Sequence, residues 1–187
     1  SLDEAKKHCK VYHDAEDETI SRYLEAAVAK VSKLTDRILI QSTWDYYPGE
    51  FPCGEEILIP GGNLRSVTSV AYTEAGAGSP TTLVSTEYEV DTAFEPGRVV
   101  LAYNKSWPSS TLKRSNPIAI RFEAGWDPPS ADTVVKGKFP SDLVGAILLL
   151  VGYWYRHREE GEAAAVSPRL SVTVENLCSP YRLRFFS

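Results

Sequence analysis

Three side chains near the start, His8, Cys9 and His13, have the chemistry of metal ligands, and Cys9 and His13 stand four residues apart. A helix would put such a pair on one face, but Asp14 is placed to cap a following helix and so interrupts the segment that must present both. No Cys-x-x-Cys or His-Glu-x-x-His pattern accompanies them to complete a ligand set. Nucleophilic catalysis would need a Ser or Cys held beside a His and a carboxylate, and no Gly-x-Ser-x-Gly elbow is present to anchor one. Gly61-Gly62 lacks the Lys and helix start that a phosphate-cradling loop requires, so a β-turn accounts for it. Glu55-Glu56 and Glu159-Glu160 have the ordinary composition of solvated faces. Catalysis thus has no support in the sequence, and no cofactor or metal is expected.

The aromatic residues form a richer set: Trp44, Tyr46, Tyr47, Phe51, Trp107, Trp126, Tyr153, Trp154 and Tyr155. A stacking platform for single-stranded nucleic acid would interleave aromatics with Arg and Lys on one exposed face. The basic residues here are not interleaved in that way. Packing inside a subunit, or between subunits where aromatics are enriched, is the more economical account. At the chain end Leu183, Phe185 and Phe186 alternate with Arg182 and Arg184, beyond any obvious core element. Exposed phenylalanines are costly in water, so this stretch is either a docking peptide for a partner's groove or sheet, or a terminal strand folded back on its own subunit.

These residues must be positioned by a chain of 187 residues, long enough for one core or one core with a smaller inserted lobe. Hydrophobic residues make up 43% and charged residues 24%, as in ordinary globular proteins, and this argues against wholesale disorder. The net charge of −5 provides no global positive field for gathering phosphates, so direct DNA binding is disfavoured. An odd number of widely spaced cysteines, Cys9, Cys53 and Cys178, fits reduced thiols in a cytosol. The longest apolar run, Leu143 to Tyr155, is shorter than the roughly 20 residues a bilayer needs, so no membrane span is expected. Ser1 to Lys10 is charged and lacks an apolar signal core, so nothing marks export.

Ser1 and Glu4 form a capping-box pattern that starts a short helix from Leu2 to about Lys10. Asp14 and the acids behind it then open a second helix, whose Ile20, Tyr23, Leu24, Ala27, Val28, Val31 and Leu34 share one apolar face. Its partner comes late: Pro140, Ser141 and Asp142 start a helix with Leu143, Ile147, Leu150, Val151 and Trp154 on one side and Ala146, Leu149 and Tyr153 on the other. Being apolar nearly all round, this helix requires burial on more than one face, inside the subunit or against a neighbour. Leu149, Tyr153, Trp154 and Tyr155 are therefore the candidate subunit contacts.

Between the long helices the period changes to two. Ile118, Ile120, Phe122 and Ala124 alternate with Ala119, Arg121 and Glu123, and further strands are expected at 38–46, 56–59, 67–72, 88–91 and 98–101. Pro60-Gly61-Gly62-Asn63 and Glu95-Pro96-Gly97 supply turns, giving a small antiparallel sheet. Ala75 to Pro80 is a small-residue hairpin tip and a further candidate contact. The expected fold is α+β: a helical hairpin core (1–36 and 139–165), an inserted β-lobe (37–126), a polar, Pro-rich connection (127–138), and a C-terminal segment ending in an extended arm (166–187).

Ser1 to Lys6, Asp14 to Asp17 leading into Ile20 and Ala26-Ala27, Leu34-Thr35 and Thr43-Trp44 together resemble the opening of tailed-phage head-to-tail connector (adaptor) proteins, a family found also in prophages and gene transfer agents. Leu64 to Val70, Tyr88 to Asp91, Pro96 to Val99, Phe122 to Gly125, Ala146 to Tyr155 with His157-Arg158-Glu159, and Leu177 to Arg182 resemble the same family in the same order. The resemblance implies a virion protein made in the bacterial host cytoplasm. It implies a homo-oligomeric ring, usually of twelve subunits, in the neck below the portal vertex, extending the DNA channel without sequence-specific binding. The implied partners are the portal protein, neighbouring copies, and a downstream stopper, tail terminator or tail protein. Arg182, Leu183, Arg184, Phe185 and Phe186 would be the portal-docking arm, and no enzyme activity is implied. The competing reading is a small-molecule enzyme or binding protein with a pocket between β-lobe and helices, around Trp44, Tyr47, Trp126 and Tyr153.

Overall fold

The structure is a computed structural model that describes residues 1–127, 137–157 and 168–183. It divides into two units, Ser1–Asp36 with Phe139–Arg182, and Arg37–Lys138 with Leu183–Ser187. Helices and antiparallel sheets together make the chain α+β, as expected.

In the first unit α1 spans Leu2–Cys9, α2 Asp17–Thr35, α3 Ser141–Arg156 and α4 Pro168–Cys178, followed by a short 3-10 turn at Ser179–Tyr181. The capping box opens α1 as the sequence requires: the Glu4 amide donates to Ser1 Oγ at 3.3 Å, and the Glu4 carboxylate lies 3.5 Å from the Ser1 amine. The start of α2 differs from expectation. Glu16 is its N-cap, with no side-chain bond, because the Asp14 carboxylate instead takes the Lys6 ammonium at 2.7 Å, and Asp17 takes it at 2.6 Å. A charge pair linking α1 to the α2 entry takes the place of the side-chain cap bond.

The α2 stripe packs against α3, α1 rests on both, and α4 covers α3. Ile20, Ala27 and Val31 from α2 and Leu143, Ala146, Ile147, Leu150 and Val151 from α3 are buried. Each large member contributes about 1.5–3 kcal/mol by leaving water. The helix α4 was not foreseen in the C-terminal segment, yet it buries Val174 and Cys178 at a four-residue spacing.

Among the described residues the second unit holds seven strands: β1 Ser42–Tyr46, β2 Glu56–Leu58, β3 Leu64–Tyr72, β4 Thr81–Thr82, β5 Tyr88–Asp91, β6 Arg98–Leu101 and β7 Ile118–Ala124. They form two antiparallel sheets, ordered β1-β7-β3-β4 and β2-β6-β5, where one sheet was expected. The cause lies in the turn after β2. Gly61, Gly62 and Asn63 all have left-handed φ values of 92°, 62° and 46°, so β3 is diverted from β2 and joins the other sheet.

The two sheets share a core of Ile57, Ile59, Leu64, Val70, Val99, Ile118, Ile120 and Phe122. The predicted alternation in β7 is present, with Ile118, Ile120, Phe122 and Ala124 inward and Arg121 exposed. The ladder of β1 begins at Ser42 rather than Ile38, because Gly125 (φ 109°) crosses close to the Ile40 backbone, where Ile40 bridges Trp126 in parallel. A side-chain carbon at Gly125 would lie 2.5 Å from the Ile40 carbonyl carbon, so this crossing requires glycine.

Candidate assembly surfaces

Helix α3 presents two kinds of surface. Its inner stripe is buried, while Leu149, Tyr153, Trp154 and Tyr155 are each half-buried. Trp154 leans on Tyr23 of α2, with ring centroids 6.3 Å apart and planes at 48°. Tyr153 stacks on His157 at 4.2 Å, and the Tyr153 carbonyl lies 2.9 Å from His157 Nδ1. The four residues each keep part of their area in solvent, and the rings of Tyr153 and Trp154 are each held in place by a neighbour. The Tyr23 partner of Trp154 is 131 positions away in the chain and had no sequence signal.

The C-terminal stretch is anchored before it reaches its aromatic end. The Tyr181 hydroxyl donates to Asp142 Oδ2 at 3.1 Å, tying the last turn to the start of α3. Burial and the Asp142 charge push that phenol up from its ordinary value. Arg182 is exposed with extended backbone (φ −65°, ψ 122°), and Leu183 is 5% exposed. Arg184, Phe185 and Phe186 lie outside the described residues.

On the β unit, Ile40, Trp44 and Tyr47 are exposed along β1, and residues 75–80 are exposed at the β3–β4 hairpin tip. Trp126 is only 7% exposed and has the Arg37 guanidinium 5.7 Å above its ring. Trp126 is therefore a core residue, while Trp44 and Tyr47 sit on the surface.

The residues with potential chemistry are dispersed. Among the described residues no group of three or more His, Cys, Asp or Glu side chains is close enough to hold a metal ion. His8 instead lies against α3 at Gly152, where its Nε2 is 2.9 Å from the position of an added side-chain carbon. Burial pushes the Cys9 thiol up, opposed by the Arg156 charge, and burial followed by the Glu175 charge pushes Cys178 up, so both are kept protonated and poorly nucleophilic. No helix among the described residues is long and apolar enough to cross a membrane.

Residues 1–72 match the family described as phage gp6-like head-tail connector protein. The chain resembles a phage head-tail connector. The match takes in α1, α2, β1 and β2 and the whole of β3, and bears out the resemblance seen in the sequence over those residues. Likeness of fold to solved structures extends over the rest of the chain. A chain from the neck of an empty gene transfer agent (GTA) particle, computed with C6 symmetry, is 23% identical with a TM-score of 0.74, covering 100% of this chain and 90% of that one. A chain from the virion of a native GTA particle gives 22% identity and a TM-score of 0.74 over the same shares. A third, from the neck of a native GTA particle computed with C12 symmetry, gives 22% identity and a TM-score of 0.65, covering 93% and 87%. No curated protein sequence matches the chain.

Proposed function

We propose that the chain is a structural head-to-tail connector subunit, without enzymatic activity, in the neck of a tailed phage or phage-like particle. Twelve copies form a ring below the portal vertex that extends the DNA channel and receives the next neck or tail protein. The observation that carries this reading is the end-to-end likeness of fold to a neck chain, with both chains covered almost completely. The connector match over residues 1–72 supports it independently. A negative net charge suits a wall past which DNA slides without sticking. The half-buried residues Leu149, Tyr153, Trp154 and Tyr155 of α3 are proposed as subunit contacts, and heterologous contacts of this kind close into rings.

The segment from Arg182 to Phe186 is proposed as the portal-docking arm. Buried Leu183 acts as its root, leaving Arg184, Phe185 and Phe186 as the reaching portion. Native mass spectrometry and negative-stain imaging of the protein alone and with portal test the reading, with a ring bound to portal as the expected result. A chain that stays monomeric and never associates with portal overturns it. Removing residues 184–187 while keeping Leu183 is expected to abolish portal attachment and leave the far-ultraviolet circular dichroism unchanged; undiminished attachment would refute the docking role.

A further inference from the structure

We propose that neighbouring subunits join by strand addition, with the free edge of β1 in one copy pairing with the free edge of β4 in the next; this rests on the ring reading above. The four-stranded sheet is ordered β1-β7-β3-β4, and no described strand lies beyond either end. Every pairing within it is antiparallel, so β1 and β4 run in opposite directions. A second copy placed head to tail would therefore continue the antiparallel alternation without reversing a strand. Two different edges meeting in this way make a heterologous contact, the kind that a closing rotation turns into a ring.

Both edges lack the charges that normally guard a sheet edge against pairing. The only charged residue in β1 is Asp45, and Arg121 neutralises it through two hydrogen bonds of 2.8 Å. From Ala75 to Thr86 the chain carries no charged side chain. Apolar groups are exposed at both ends instead: Ile40 at 56%, Trp44 at 52% and Tyr47 at 50% beside β1, and Val84 at 59% beyond β4.

The faces of the two edges also match. Trp44 stands opposite the inward Phe122, so Ile40 and Trp44 have core-side parity, while Thr43, Asp45 and Tyr47 have outer parity. On the other edge Leu83 is buried, which gives Thr81 core-side parity and Thr82 and Val84 outer parity. In the register that sets Trp44 opposite Leu83 on one face, Asp45 stands opposite Thr82 on the other. An apolar cross-strand pair such as Trp44 with Leu83 stabilises a pairing beyond its backbone hydrogen bonds.

Cysteine crosslinking tests this contact, because directly opposed residues on one face fall within disulfide reach and residues on opposite faces do not. In a Cys53→Ser background, Thr43→Cys or Asp45→Cys is combined with Thr82→Cys, and the protein is assembled with portal and mildly oxidised. At least one of these same-face pairs is expected to give covalent multimers about tenfold above the opposite-face pair Thr43→Cys with Thr81→Cys. Rings visible by negative stain that yield no multimers from either same-face pair overturn the strand contact and leave the connector reading standing. Absence of rings in the presence of portal overturns both.

A second variant covers the case in which a double cysteine protein fails to fold. Trp44→Asp, at an exposed position, is expected to raise the concentration needed for half-maximal assembly about tenfold with the subunit's thermal midpoint unchanged. Unaltered assembly of a folded Trp44→Asp protein overturns the contact.

Discussion

Arg65 Nη1 and Asp127 Oδ1 meet at 2.7 Å with side chains only 9% and 2% exposed, joining the start of β3 to the residue that follows Trp126. Asp127 also bridges Lys138 in parallel, so this pair fixes the place where the chain closes the β unit. Losing one partner of a buried ion pair strands the other charge, at a cost of about 3–5 kcal/mol, whereas replacing both with apolar residues is often nearly neutral. Arg65→Ala is therefore expected to lower stability by about that amount in chemical denaturation, while Arg65→Met with Asp127→Leu loses far less. Equal losses in the two proteins would show that the pair does not act as a unit.

Gly152 allows α1 to approach α3 with the His8 imidazole against its backbone. Glycine within a helix costs about 0.5–1 kcal/mol relative to alanine, so the substitution should stabilise unless His8 obstructs it. Gly152→Ala alone is expected to be near neutral, because the ring must shift from a 2.9 Å approach. In a His8→Ala background it should gain about 0.5–1 kcal/mol, read from the difference in denaturation midpoints between the single and double variants.

What the sequence made legible was local. The hydroxyl and carboxylate of Ser1 and Glu4 are three residues apart, and the alternation of Ile118 to Ala124 is a property of one strand, so both could be read directly. The α3 stripe was equally plain because its apolar residues recur within single turns. The features that escaped depend on partners far along the chain. Asp14 looked like a cap until Lys6 arrived from α1, and one expected sheet became two because three successive left-handed residues redirect β3. Helix α4 did carry a signal, Leu170, Val174 and Cys178 at steps of four, but Ser171, Thr173 and Asn176 between them are weak helix formers that obscured it. At the candidate surfaces, periodicity put Trp154 on one side of α3, while Leu183 stood in a terminal stretch beyond any obvious core element. Only the fold gives Trp154 its Tyr23 neighbour and shows Leu183 to be buried.

Two aspartates of the β unit set its response to acid. The Arg121 guanidinium holds Asp45 below its ordinary value, and the Phe94 amide followed by Arg98 and the Ala93 amide do the same for Asp91. The folded state therefore binds fewer protons than the unfolded chain between the depressed folded values and the unfolded value of about 3.9. Their stabilisation is fully present above that range and is lost as pH falls through the folded values. Thermal midpoints are expected to stay flat from about pH 7 to 5 and to drop below about pH 4. Asp91→Asn should shrink the acid-side drop, and an unchanged drop would remove Asp91 from the cause. Because these groups are solvent-accessible, added salt should weaken the effect.

The three thiols should report on different parts of the fold. Cys53 is exposed, Cys9 is half-buried in α1, and Cys178 is buried as the last residue of α4. Thiolate is the reactive form, and burial raises the values of Cys9 and Cys178, so both combine poor access with little thiolate at neutral pH. A maleimide or disulfide reagent is expected to modify one thiol quickly in the native protein, at least about tenfold faster than the others, and all three after denaturation. Cys53→Ser should remove the fast phase and leave the slow ones. Cys178 packs in the helical unit through α4, so its labelling requires that helix to lift from α2 and α3, a local opening whose free energy lies below that of global unfolding. If Cys178 reacts as fast as Cys53, α4 is not held against the bundle in solution. If its rate follows global unfolding instead, α4 and the bundle form one cooperative unit.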